Sequence, residues 1–318
     1  LTTDTGRDLF LRLAETVDVV VENYTPRVFD QFGITWDALH ARNPRLIFAR
    51  MPAFGLDGPW RDRPGFAQTM DSLSGLAWVT GHTDDQPRLQ GGPCDPNAGT
   101  HAAFAIIAAL ARRDETGTGG LLEVPMVESA LNIAAEQVIE FSAYGTLRER
   151  AGNRGPYAAP QGLYRAGSGW LAVAVPSDEA WTALVDRVAG LAGLDRHRDA
   201  DAIDEALRHW CADLSAGDAA AQLCAIGVPA AEARDPRRTP EHPGFLSRGF
   251  YETADHPVVG PHRVPGLPFR LSGVDSWVRA PAPTLGQHTA GLLGGIGVSG
   301  RELEEMERAR IVGTTIAD

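Results

Sequence analysis

Twice within its first 50 residues the chain runs through a helix-spaced stretch and then a short β-rich one, and this rhythm restricts the fold more than any other feature. Asp8-Leu9-Phe10-Leu11-Arg12-Leu13-Ala14 carries apolar residues at helical spacing, and Val17-Asp18-Val19-Val20-Val21 follows as a strand. Trp36 to Arg42 is helix-like again, ahead of the strand-like Arg45-Leu46-Ile47-Phe48-Ala49-Arg50. Strands separated by helices cannot close hairpins, so they pair in parallel through crossovers, with helices on the faces of the sheet. The expectation is an α/β fold with a Rossmann-like open parallel sheet.

Beyond a Gly/Pro/Arg-rich loop from Gly55 to Gly65, the pattern predicts helices over Phe66–Val79 and His101–Arg113. A short strand follows at Leu121-Leu122-Glu123-Val124, then a long helix from Val127 to Tyr144. The texture changes after Gly152-Asn153-Arg154-Gly155-Pro156. There Gly162–Arg165 and Trp170–Val175 read as a hairpin turned by Gly167-Ser168-Gly169, and helical segments fill much of Asp178–Ile226. Pro236 to Pro283 is rich in Pro and Gly, and two helices close the chain, around Gly286–Leu293 and Ser299–Arg310. The expected division is a large α/β domain over 1–158, an inserted smaller α+β domain over 159–236, and a return segment over 237–318.

Composition narrows the chemistry. All 29 basic residues are arginine, so Schiff-base, lysine-anchored PLP and P-loop lysine chemistry are excluded. A formal charge of −12 is the wrong sign for a general nucleic-acid or membrane-surface binder, so neither is an expected partner. A polyanionic ligand would need a local pocket of arginines and backbone N–H groups. Cys94, Cys211 and Cys224 are too scattered for a disulfide framework or a zinc knuckle, which favours a reducing, cytoplasmic setting. The nine histidines show no metal-binding spacing, and no GxSxG elbow occurs. No apolar run approaches the roughly 18–20 residues that span a bilayer.

Chemistry-bearing residues concentrate in a few loops. Gly91-Gly92-Pro93-Cys94-Asp95-Pro96-Asn97-Ala98-Gly99 runs into the apolar helix, and Asp95-Pro96 reads as an N-cap and N1 pair. A carboxylate there feels the positive end of the helix dipole and could attack an activated acyl group, but a purely structural cap fits the same pattern. Cys94 is the rival nucleophile; it lacks a well-placed base, since His101 lies almost two turns on, and a buried inert thiol fits better. Asn23-Tyr24-Thr25-Pro26-Arg27 follows the first strand, where open α/β sheets bind ligands. Arg61-Asp62-Arg63-Pro64-Gly65-Phe66 sets two guanidinium groups beside an aromatic, apt for phosphate and a purine, although a solvated arginine loop would look the same. Gly295-Ile296-Gly297-Val298-Ser299-Gly300 has dinucleotide-binding spacing but follows a helix, so it reads as a C-cap and then a Ser299–Glu302 capping box.

At these residues the chain resembles the family III CoA-transferases, the formyl-CoA and carnitine-CoA transferase group. The resemblance rests on Val20-Val21-Glu22-Asn23-Tyr24-Thr25-Pro26, Asn43-Pro44-Arg45-Leu46-Ile47, Asp62–Phe66 and Cys94–Gly99. It continues through Gly152-Asn153-Arg154, Pro265–Ser272 and Ala282–Thr289. What it implies is an acyl-CoA:carboxylate CoA-transferase with Asp95 as nucleophile, forming an aspartyl-CoA thioester. It also implies CoA contacts from Asn23, Tyr24, Thr25 and the Arg63–Phe66 segment, with Arg61 and Arg63 as the phosphate grip because position 31 is Gln. Coenzyme A is then substrate and carrier, with no permanently bound cofactor and no metal, and the chain pairs as an interlocked homodimer.

The departures from the family pattern are specific. Ala67 stands where an acid commonly follows the aromatic at 66, and the glycine-rich lid of the formyl-CoA enzyme has no match near Gly152–Gly162. The opening strand–helix unit of the family is not matched, so a non-catalytic CoA-binding half of a longer duplicated protein is one alternative. The other is an α-methylacyl-CoA racemase, whose Gly-His-Asp-x-Asn-Tyr motif falls where this chain has Pro64-Gly65-Phe66-Ala67-Gln68-Thr69, with no histidine for the proton transfer.

Overall fold

In the computed structural model, which describes residues 1–315, the chain divides into two compact units: 1–150 together with 283–318, and 151–282. Residues 237–282, expected to return to the large domain, belong to the second unit. Their extended runs pair with each other as a hairpin, so their hydrogen bonds close locally rather than on the parallel sheet.

The first unit opens with α1 (Asp4–Ala14), where the Thr3 hydroxyl accepts the Gly6 N–H. Then come β1 (Val19–Glu22), α2 (Pro26–Gln31), α3 (Trp36–Arg42) and β2 (Ile47–Arg50). A long loop leads to α4 (Ala67–Leu73), and another to α5 (Cys94–Thr116), β3 (Gly120–Glu123), α6 (Met126–Ile133) and α7 (Ala135–Tyr144). The three strands form a parallel sheet in the order β1-β2-β3, with Glu22 opposite Arg50 and Arg50 opposite Glu123 in register. Strand β2 is central, and all four of its residues are buried. Gly119, just ahead of β3, passes so close to β2 that a Cβ would sit 2.0 Å from the Leu46 carbonyl oxygen, so only glycine fits.

Two expected helices are shorter than their periodicity suggests. Gly75, at φ +90°, follows the Ser74 C-cap and ends α4 well before Val79. The expected 127–144 helix bends at Ala134, which continues the buried row Met126–Ala130–Ala134; beyond it α7 buries no residue. No glycine or proline marks that bend, so nothing local announces it.

The second unit holds β4 (Gln161–Arg165), β5 (Trp170–Ala174), α8 (Asp178–Arg187), α9 (Ala200–Cys211), α10 (Ala216–Ala225) and β6 (Ala230–Glu232). The strands form an antiparallel sheet, β4-β5-β6, and its core is an aliphatic cluster around Leu171, Leu184, Leu207 and Leu223. Helix α11 (Pro243–Arg248) precedes the hairpin β7 (Tyr251–His256) and β8 (Gly260–Pro265). The chain then re-enters the first unit with α12 (Thr289–Gly295) and α13 (Gly300–Arg308), where Leu293 and Met306 pack on Leu9 of α1. Ser299 and Glu302 form the expected capping box at the start of α13. Among the described residues no helix is long and apolar enough to cross a membrane.

Candidate active site

Parallel strands all end on one edge, and the crossover helix that leaves that edge begins on it. The loop after β1, the loop after β2 and the first turn of α5 therefore gather at the carboxyl edge of the sheet. Side chains tie this geometry together. The Cys94 thiol donates to the Met126 carbonyl oxygen at 3.2 Å, and the Asn97 side-chain amide donates to that of Ser129 at 2.8 Å. These bonds fix the start of α5 against the segment that follows β3.

Asp95 is the second residue of α5 and not its N-cap, which is Pro93. The helix extends back to Cys94 because the prolines at 93 and 96 lack only N–H groups that a first turn leaves unpaired anyway. The Asp95 side chain is exposed, and it makes no hydrogen bond or ion pair among the described residues. A free carboxylate on the first turn of a 23-residue helix suits attack on an electrophile approaching from solvent. Gly91 and Gly92, at φ +82° and +88°, shape the approach to it, and Gly92 has a second constraint: a Cβ there would lie 2.9 Å from that of Ala67.

Cys94 is fully buried, with burial and then the charges of Asp71 and Asp95 pushing its thiol up to about 11. His101 is turned to the Asn97 carbonyl oxygen at 2.9 Å within its own helix, away from service as a base. Cys94 should therefore resist iodoacetamide at pH 7.5 while exposed Cys224 reacts, as peptide mass mapping over a time course will show. Labelling of Cys94 first would restore it as a candidate nucleophile.

The loop Asn23-Tyr24-Thr25 is held by a buried ion pair that sequence reasoning missed. Glu22 ends β1 and Arg50 ends β2, and the pair meets at 2.6 Å with both side chains more than nine-tenths buried. Glu22 also accepts the Tyr24 N–H at 2.8 Å, and Arg50 donates to the Pro26 carbonyl oxygen at 3.1 Å. The loop backbone is thus clamped while its side chains stay outward: Tyr24 is exposed and stacked on Phe29, and the Thr25 hydroxyl caps nothing in α2. The detectable signal was a pair of opposite charges ending two adjacent strand-like runs.

The second loop follows through Asp30. It lies 3.7 Å from Arg50 and pairs with Arg61, whose guanidinium also donates to Asp62 at 2.9 Å and to the Leu56 carbonyl oxygen at 2.8 Å. Arg61 is accordingly a strut between the two loops, with its donors already engaged. Arg63 is different: it is exposed, makes no ion pair among the described residues, and lies 4.5 Å over the Trp60 ring. Arg27, in the first turn of α2, is likewise exposed and unpaired among them. Phe66 is 74% exposed at the start of α4. By topology Asn23, Tyr24, Thr25, Arg61, Arg63, Phe66 and Asp95 all lie on segments that leave the carboxyl ends of β1 and β2, and among them the guanidinium of Arg61 has its donors engaged.

Comparison with known proteins settles the family. The sequence model of CoA-transferase family III matches residues 1–289. The chain belongs to that family. It is 28% identical over 324 residues to the succinyl-CoA–D-citramalate CoA-transferase of Chloroflexus aurantiacus, covering 98% of this chain and 81% of that one. It is 28% identical over 298 residues to the acetyl-CoA:oxalate CoA-transferase of Acetobacter aceti, covering 90% and 75%. Among solved structures, a CAIB/BAIF family protein from Brucella suis superposes with a TM-score of 0.81 at 26% identity, over 92% of this chain and 79% of that one. The chain is an enzyme of this CoA-transferase family, with the family III fold.

Proposed function

We propose that this enzyme moves coenzyme A from an acyl-CoA donor to a free carboxylic acid, with Asp95 as the nucleophile. The observation that carries the reading is Asp95 itself, an exposed carboxylate without a partner among the described residues, on the first turn of a long helix and at the ligand-binding edge of a parallel sheet.

The cycle balances without a general base. A carboxylate oxygen of Asp95 attacks the thioester carbonyl, the C–S bond breaks, and CoA leaves as thiolate with a mixed anhydride behind it. The thiolate sulfur attacks the Asp95 carbonyl of that anhydride, releasing the first acid as its carboxylate and forming an aspartyl-CoA thioester. The acceptor carboxylate then displaces the thiolate in turn, and the thiolate takes the acceptor's acyl group, restoring Asp95. No net proton moves, which agrees with a first turn that offers no free histidine. Coenzyme A is substrate and carrier, gripped on this reading by Arg63 with the Asn23–Thr25 loop, and by Phe66 for the purine. Arg61 serves by bracing these loops.

Exposed Phe104 and Ile107 on α5, with Val138, Ile139 and Phe141 on α7, support a homodimer that covers them. Three unpaired cysteines suit a cytoplasmic setting.

The test is to incubate the protein with succinyl-CoA or acetyl-CoA, trap with hydroxylamine, and map modified peptides by mass. A hydroxamate on Asp95 is expected. Modification elsewhere, or exchange of the acyl α-proton without CoA transfer, would overturn the assignment, the latter in favour of a racemase. An unmodified chain with intact donor would indicate a CoA-binding unit without catalysis.

A further inference from the structure

One carboxyl near Asp95 has no place in that cycle. Asp71 sits on α4 with a side chain only 1% exposed, and neither of its oxygens closes a hydrogen bond. A buried polar group left so destabilises the fold, more if charged, so its retention calls for a purpose. Its position supplies one. On one face of α4, Ala67 meets Gly92, Met70 meets the Cys94 sulfur at 3.9 Å, and Asp71 lies one position further round, beneath the same turn. These are positions i, i+3 and i+4 of a helix, a single stripe pressed against the segment that delivers Asp95.

We propose that Asp71 is a positioning residue for the Asp95 nucleophile, a sealed carboxyl lodged under the turn that carries it. Burial and the nearby Asp95 charge raise the Asp71 carboxyl above its ordinary value; the Cys94 and Gly92 N–H groups, close by but outside good hydrogen-bond geometry, oppose this. The sealed carboxyl thus takes up a proton more readily than an ordinary one, and its side chain fills the space beneath the first turn of α5. Besides Asp95, the helices packed against α4 carry the Cys94 thiol and the exposed His101 on α5, with Arg112, Arg113, Asp114 and Glu115 at its far end, and the exposed Glu128 on α6.

The proposal rests on Asp95 being the nucleophile, and the experiment separates the two. Asp71→Leu and Asp71→Asn are compared with the unaltered enzyme at pH 8 for kcat, KM for acyl-CoA, Asp95 hydroxamate formation and melting temperature. Asp71→Leu should lower kcat at least tenfold with KM changed less than threefold. Asp71→Asn, which keeps the size and hydrogen-bonding capacity of the side chain, should recover most of that loss. Because the folded-state value is raised, Asp71 costs stability as pH rises through it, so both variants should melt at or above the unaltered protein at pH 8. Full kcat in Asp71→Leu, or no recovery in Asp71→Asn, would overturn the role of Asp71. Absence of Asp95 labelling in the unaltered enzyme would instead overturn the nucleophile.

Discussion

Asp95→Ala should lower CoA transfer at least about a thousandfold and abolish the hydroxylamine-trappable adduct, because in the proposed cycle both covalent intermediates are bonded to that carboxylate. The melting temperature should move by no more than about 2 °C. Asp95 is exposed and unpaired among the described residues, so its only structural contribution is a first-turn charge worth about 0.3–1 kcal/mol against the helix dipole. That separation of effects is the informative part. A structural cap would show the reverse pattern, with stability lost and rate retained. Steady-state transfer assays paired with thermal melts read both at once, and a variant that keeps a tenth of the rate would end the case for Asp95.

The second large effect is expected far from the reacting atoms. Arg50→Leu alone strands the Glu22 charge in the interior, which costs about 3–5 kcal/mol and lowers the melting temperature on the order of 10 °C, whereas Glu22→Leu costs less because Arg50 keeps Asp30 at 3.7 Å. The double replacement should recover much of that stability, since no charge is then left uncompensated. Binding should not recover with it. Glu22 accepts the Tyr24 N–H and Arg50 holds the Pro26 carbonyl, so without them the Asn23–Thr25 loop loses its clamp in all three variants. KM for acyl-CoA should stay raised in the double variant, by about tenfold or more, while its melting temperature returns toward that of the unaltered protein. Recovery of both together would mean that the pair serves stability alone.

The local features of this protein are legible in its amino-acid order. Val17–Val21 and Arg45–Arg50 read as strands because β-branched and other apolar residues cluster there, and they overlap β1 and β2, neighbours in a parallel sheet. The Ser299–Glu302 box is a contact three residues apart, so spacing alone reveals it. Cys94 reads as a buried thiol, and it is one. Spacing does not show where a periodic run stops for reasons of packing, as at Ala134, or that 237–282 closes its hydrogen bonds with itself.

The site divides along the same line. Sequence alone determined which residues crowd the ends of the strands and that Asp95 begins a long helix, because backbone propensity and capping act over a few residues. Only the tertiary structure decided what each of them is free to do. Arg61 and Arg63 are two residues apart and alike in sequence, yet Asp30, 31 residues before Arg61, closes the first and leaves the second open. Asp71 and Asp95 lie on different helices, and the environment that buries the first and leaves the second exposed exists only once α4 packs on α5. Charge state and availability depend on neighbours brought together through space, and a linear pattern carries no record of those neighbours until the sheet and its crossovers have formed.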